Sequence, residues 1–373
     1  MRVRRSSAGL MGGSYRKPAC LTATVEPPVT AGQSCSALEE GLLVSDPIKV
    51  AVLGFWHVHA AEYAGLVRQH PETELVAAWD DDPARGRASA DAIGTPFIDD
   101  LDELLAGDID AVTVTTATSA HHAIMLRAAE AGKHIFTEKL LAPTVAEAEE
   151  IIDAADKAGI AVMVSLPWLY HGYARAIQDK LNEEQLGELT YCRIRLSHDG
   201  AIAGWLPERF YDPEAAIGGA LSDLGCHPVY LTQLFLGAVP ATVSATYASL
   251  TQRPVEDQAV VTLGYPGGAI GVIETGFLSR DPFTIEMHGT AASLAYESTG
   301  GALRLRDAGS DTWQSLAVPP DDPDAVSQWV AHIRDGTRAE DNLTRAVELT
   351  RLVVAANTAA ATGSTMSYRI SAV

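Results

Sequence analysis

The pattern of hydrophobic and polar positions changes character near residue 47. Before it, MRVRRSSAGLMGGSYRKPACLTATVEPPVTAGQSCSALEEG is rich in Ser, Gly, Pro and Thr and shows neither the helix nor the strand period. Residues 1–46 therefore read as a disordered or extended leader. The basic start at Arg4-Arg5 lacks the long apolar stretch that an export signal needs. From Ile48 short apolar runs alternate with amphipathic segments. IKVAVLG, ELVAAWD, IDAVTVT, KHIFTEK and IAVMVS read as buried strands. Between them HAAEYAGLVRQH, DPARGRASADAIG, SAHHAIMLRAAEAG and TVAEAEEIIDAADKAG space their apolar residues as helices, the last opened by Thr144 as N-cap. This β-α rhythm predicts an α/β fold with a doubly wound parallel sheet over residues 47–166, its ligand site at the carboxyl ends of the strands. Farther on, TYCRIRLSH, ATVSATYASL, DQAVVTLGY, AIGVIETGF and FTIEMHG alternate with period two, so residues 167–373 form an α+β part.

Composition narrows the partners. A chain of 373 residues, 47% of them hydrophobic, is long enough for about two domains. A formal net charge of −21 disfavours a nucleic-acid partner, and no membrane partner is expected. Cys20, Cys35, Cys192 and Cys226 form no C-x-x-C pair, which points to reduced thiols and a cytoplasmic protein with a small-molecule substrate.

The residues at the expected strand ends carry the chemistry. VLGFWHVHA, Val52 to Ala60, stands where a dinucleotide loop belongs, with Gly54 in the first glycine position and Trp56 and His59 in the second and third. A buried strand turning into a helix still offers backbone N–H groups to a diphosphate. Asp80 ends the second strand, 26 residues beyond Gly54, where a carboxylate would bond ribose hydroxyls. Asp81 and Asp82 would repel a 2′-phosphate, favouring NAD over NADP. Glu138-Lys139 ends a later strand, and partial burial is expected to lower the Lys139 pKa. In GGALSDLGCHPVYLTQLFLG, Asp223 and His227 are i and i+4 on one helix face, spaced to hydrogen-bond each other as a carboxylate–imidazole pair. No metal is expected at His57-Val58-His59, because neighbouring residues at a helix start point apart and no further ligand of convincing spacing is at hand.

These segments, in this order, resemble the glucose-fructose oxidoreductase / inositol dehydrogenase (Gfo/Idh/MocA) family. GFWHVH resembles its GxGxxGxxH opening, Asp80 its acidic strand end and Thr116 to His121 its T-P-x-x-x-H segment. Glu138-Lys139-Leu140 resembles E-K-P, and Gly218 to His227 resembles G-G-x-x-x-D-x-G-x-H. The resemblance implies an N-terminal Rossmann domain and a C-terminal α+β domain with a large open, mainly antiparallel sheet that pairs in a homodimer or homotetramer. It implies NAD bound by Gly54, Phe55, Trp56, His57, Val58, Asp80, Thr115, Thr116, His121, Glu138 and Lys139. It implies hydride transfer at a sugar, cyclitol or glycoside carbon, with His227 as base, Asp223 orienting it and Lys139 holding the hydroxyl.

For the polyol itself Trp168, Tyr170, His171 and Arg209 are expected to line the site with Lys139, Asp223 and His227, near Trp205, Glu208 and Tyr211. Two readings stand beside this one. The altered loop suits a non-catalytic nucleotide-binding sensor, and the paired histidines suit a metal-dependent lyase or hydrolase.

Overall fold

The computed structural model describes residues 46–368. The leader expected over residues 1–46 lies outside them except for Asp46. Five parallel strands, β1 (Ile48–Leu53), β2 (Thr73–Trp79), β3 (Ala111–Val114), β4 (His134–Thr137) and β5 (Val162–Val164), form a sheet ordered β2-β1-β3-β4-β5. Every residue of β3 and β5 is buried, which explains why these strands read as unbroken apolar runs. Order reverses between β1 and β3, so a crevice forms where Gly54, Thr115 and Glu138 leave their strands.

The helices follow their sequence signals. Helix Ala60–Gln69 buries Ala60, Tyr63, Ala64 and Val67, one i, i+3, i+4, i+7 stripe. Helix Val145–Ala158 opens with a capping box between Thr144 and Glu147 and ends at Gly159 in the left-handed region.

The second sheet has nine strands: β6 (Leu189–Ser197), β7 (Thr242–Ala248), β8 (Gln258–Gly264), β9 (Ile270–Gly276), β10 (Asp281–Gly289), β11 (Ala292–Glu297), β12 (Ala302–Asp307), β13 (Gln314–Leu316) and β14 (Met366–Ser367). Their order is β13-β12-β11-β10-β6-β9-β8-β7-β14, antiparallel throughout except for the β6–β9 pair. Cys192, Ile194, Val261 and Ile273 turn inward under helices Cys226–Leu236 and Glu340–Thr362. On the other face Arg193 bridges Glu274 at 2.7 Å and Glu286 at 3.4 Å. A single apolar core runs from Leu53 and Val114 of the first sheet through Leu221 and Val229 to Ile273 of the second. Among the described residues, no helix is long and apolar enough to cross a membrane.

Candidate active site

The site is built where β4 ends. Glu138 and Lys139 follow this buried strand and are themselves buried. The Lys139 ammonium lies 3.1 Å from Glu138 Oε1 and 3.4 Å from Asp223 Oδ1, bridging the two carboxylates. Burial would push the ammonium's pKa down, but the charge of Glu138, joined by that of Asp223, outweighs it and holds Lys139 protonated, well above its ordinary value. The expected lowering is thereby corrected. Burial opposes ionisation of Glu138 and Asp223 as well, and the Lys139 charge overrides it, so both carboxyls titrate far below the usual range.

Asp223 comes from a π-helical turn, Leu221–Gly225, that precedes helix Cys226–Leu236. Gly225 is required there, since a Cβ would lie 2.7 Å from Thr275 Cγ2 on β9. The extra residue in the turn alters the i, i+4 geometry, and the expected Asp223–His227 hydrogen bond is not formed. Asp223 Oδ1 instead faces His57 Nε2 at 3.3 Å, while His227 Nδ1 pairs with the Tyr230 hydroxyl at 2.8 Å. The His227 ring stacks on Trp168, centroids 5.1 Å apart. Burial, with help from the Lys139 charge, pushes the His227 pKa well below its ordinary value and keeps the ring neutral.

His57 and His59 do not diverge. Their ring centroids are 4.5 Å apart, and both approach Glu138 Oε2, His57 Nδ1 at 3.6 Å and His59 Nδ1 at 3.0 Å. Burial lowers the His57 pKa; for His59 the Glu138 carboxylate overcomes burial and raises it. Tyr63 donates its hydroxyl proton to the same Glu138 oxygen and lies 2.8 Å from Ser165 Oγ. These groups border a cavity of about 520 Å³, with Trp168, His171, His198 and Trp205 on its rim. A larger cavity of about 780 Å³, lined by Tyr170, His332, Arg338 and Arg345, holds none of this cluster; we take the smaller one as the site because the acid–base groups border it.

The family descriptions match this architecture: "Oxidoreductase family, NAD-binding Rossmann fold" over residues 48–166 and "GFO/IDH/MocA C-terminal domain" over residues 174–295. The chain belongs to the Gfo/Idh/MocA family. It is 30% identical to a 1,5-anhydro-D-fructose reductase of Ensifer adhaerens, across 59% of this chain and 67% of that protein. It is 28% identical to a D-glucoside 3-dehydrogenase of Escherichia coli K12, across 63% of this chain and 72% of the relative. A 3-ketoreductase from Actinomadura kijaniata, solved with NADP and TDP-benzene, shares the fold at a TM-score of 0.75 and 22% identity, over 84% of this chain and 98% of that one.

The Gfo/Idh/MocA family implies a nicotinamide dinucleotide, and the residues here meet it unevenly. Toward the reactive end they fit. Thr116 Oγ1 is buried with no hydrogen-bond partner, as expected of an atom kept for a ligand. Gly54, at φ 91°, has Thr116 Cγ2 only 2.5 Å from where a Cβ would stand, and Thr115 Oγ1 donates to the Gly54 carbonyl at 2.5 Å. Toward the adenosine end the expected grip is altered. Asp80 is buried, and its oxygens already accept from Phe55 N–H (2.6 Å), Asp82 N–H (2.7 Å) and both Arg85 Nε (3.1 Å) and Nη2 (2.5 Å). Asp82 caps helix Pro83–Ile93, accepting from the Ala84 and Arg85 N–H groups.

The loop itself is short. Helix Ala60–Gln69 begins so soon that His59 stands five positions after Gly54, where the GxGxxGxxH spacing has eight. Trp56 and His59, in the second and third glycine positions, bring side chains where the loop pattern has none. Trp56 leans aside over the end of β3, packed with Ala117 and stacked on Phe210 at 4.8 Å, its carbonyl accepting from Arg209 Nε.

Other expected site residues are redistributed. The Phe55 ring packs with Ala60, Ala64 and Phe97. Val58 and His57 border the cavity as members of the cluster already described. The Tyr170 hydroxyl accepts from Asn342 at 3.3 Å and the ring lines the larger cavity, while Arg209 is committed to Trp56. His171 stays at the rim, 2.8 Å from Asp321 Oδ2, and buried His121 faces the Leu140 carbonyl at 2.9 Å. The sequence reading missed Tyr63 and His198. For Tyr63 a signal existed, its i+4 spacing from His59 on one helix face.

Proposed function

We propose that the chain is an NAD-dependent oxidoreductase of a sugar, glycoside or cyclitol, inositol included, with NADP the less favoured cofactor. Supporting this are the family membership, the relatives that act on sugars, and one geometric observation that carries the reading. A buried Lys139 is fixed between Glu138 and Asp223 at the edge of the cavity that His227 also lines.

Gly54, Thr115, Thr116 and the Glu138–Lys139 edge would hold the reactive half of the cofactor. When bound, the nicotinamide supplies the hydride acceptor for oxidation or the donor for reduction. The Lys139 ammonium donates a hydrogen bond to the substrate oxygen and stabilises negative charge developing there. His227 is kept neutral and its Nδ1 lies 2.8 Å from the Tyr230 hydroxyl; in the tautomer whose Nδ1–H donates to that oxygen, Nε2 accepts or returns the hydroxyl proton. Asp223 holds the Lys139 charge in place and fixes the His57 ring, a positioning part different from the one its spacing suggested. Trp168 offers an apolar platform for a sugar ring beside His227.

The reading extends to residues 47–166 as the cofactor-binding part and 167–373 as the substrate and oligomer part. A cytoplasmic homodimer or homotetramer, acting without nucleic acid or membrane, accords with the buried free thiols of Cys192 and Cys226 and with the strongly negative charge. The test follows reduced-nicotinamide absorbance across a polyol and keto-sugar panel with NAD and NADP. Turnover lost in Lys139→Ala and His227→Ala with cofactor still bound supports the reading. Undiminished turnover in both variants, or cofactor binding with no turnover on any substrate, as the sensor alternative requires, overturns it.

A further inference from the structure

The convergence of His57, His59 and Glu138 goes beyond acid–base chemistry. One donor atom from each lies within 4.8 Å of the other two. His57 Nδ1 and His59 Nδ1 stand 3.6 Å and 3.0 Å from Glu138 Oε2. A tetrahedral zinc ion with bonds of about 2.0–2.1 Å needs ligand atoms spaced near these values, about 3.4 Å apart. We propose that these three residues form a binding site for a divalent transition-metal ion, zinc being the best match, with its remaining position open to the cavity for an oxygen of the substrate.

The protonation pattern points the same way. His57 Nε2 stands 3.3 Å from Asp223 Oδ1 and 3.5 Å from the Lys139 ammonium, while Nδ1 faces Glu138. The His59 backbone N–H donates to Nδ1 at 3.3 Å, so Nδ1 carries its lone pair and Nε2 the ring proton. A lone pair directed at a carboxylate oxygen is relieved by a cation between them. A carboxylate behind a ligating imidazole is also the arrangement that orients metal-bound histidines. Glu138 is supported likewise: Oε1 is held by Lys139, and Oε2 receives the Tyr63 hydroxyl. Two histidines and a carboxylate leave the coordination incomplete, as in sites where a hydroxyl or carbonyl oxygen is polarised. Val58, Trp168 and His198 border the space into which such an oxygen would enter. Glu138 and Asp223 together carry two negative charges against the single Lys139 charge, so the cluster has negative charge to offer a cation.

This inference takes the cavity as the substrate site, as the proposed function does, but its test does not depend on turnover. The full chain, freed of any polyhistidine tag, is treated with chelator and titrated with Co(II), read by visible absorbance, and with zinc, read by calorimetry. Stoichiometric binding with tetrahedral Co(II) bands is expected. Asp223→Asn should weaken it by about 10- to 100-fold, and His59→Asn and Glu138→Gln by more. His122→Ala, outside the cluster, should bind as the unaltered protein does. Circular dichroism identifies any variant that fails to fold, and the conservative His59→Gln then takes its place. Absence of saturable binding up to about 1 mM ion, or binding unchanged in both His59→Asn and Glu138→Gln, overturns the proposal. Nicotinamide turnover by a protein that binds no ion would leave the proposed function standing and sink this inference alone. Ion binding without turnover on any polyol would do the reverse.

Discussion

Replacing Lys139 by Met removes the ammonium that joins Glu138 and Asp223 while keeping most of the side-chain volume. At 3.1 Å and 3.4 Å, each carboxylate attracts that ammonium by about 5 kcal/mol at an effective dielectric constant of about 20. Most of this gross attraction offsets the cost of burying the charges. Breaking such a buried arrangement by deleting one partner costs about 3–5 kcal/mol, because the charges left behind stay desolvated. Urea unfolding at neutral pH, followed by tryptophan fluorescence, should show a loss of that size. Lys139→Met/Glu138→Gln, which removes one stranded charge, should recover about half of it. The pH dependence supplies a second check. With Lys139 present both carboxyl pKa values lie below their unfolded values, so this stabilisation is complete above the ordinary carboxyl range and fades as pH falls below it. Without Lys139 those pKa values rise, so the deficit of the variant should be smaller near pH 5 than near pH 8. A loss below about 1 kcal/mol, the worth of an exposed ion pair, would refute the reasoning, as would a double variant no more stable than the single one.

Three further outcomes are expected. Burial lowers the His227 pKa below its unfolded value, so its contribution to stability is full above about pH 6.5 and declines as pH falls toward the folded value; His227→Gln should flatten the loss between pH 6.5 and 5 by up to about 2 kcal/mol, measured as denaturation midpoints across pH. Gly54→Ala places a Cβ 2.5 Å from Thr116 in a left-handed residue and should lower stability by more than about 1 kcal/mol, with a calorimetric melting temperature unchanged from the parent refuting the strain. Arg85→Ala frees Asp80 of its guanidinium partner, so NAD affinity by calorimetry should rise several-fold relative to NADP while urea stability falls; weaker NAD binding would show that Arg85 itself supports the cofactor.

Much of the fold was legible because strand and helix periods are local properties. The five parallel strands emerged from unbroken apolar runs, the Thr144 cap from its side-chain chemistry, and the antiparallel strands from period-two alternation. Glu138, Lys139, Asp223 and His227 could likewise be picked out, since chemistry-bearing residues at strand ends or on one helix face stand out against an apolar background. Their pairing could not. A π-helical turn, invisible to a count of four residues, directed Asp223 toward His57 and Lys139, and left His227 to Tyr230.

The sequence by itself determined which residues are polar where the chain enters its core, and hence where chemistry can reside. Only the tertiary structure decided which charges face one another. It set the sign of the Lys139 shift, because burial and two neighbouring carboxylates act in opposite directions and their balance depends on distances across β4 and the turn at Leu221–Gly225. It turned Asp80 toward Arg85 and Trp56 toward Phe210. It brought His57 and His59 together on Glu138, 79 residues beyond His59 in the chain, because a short loop delivers both rings to the end of a strand two places away in the sheet.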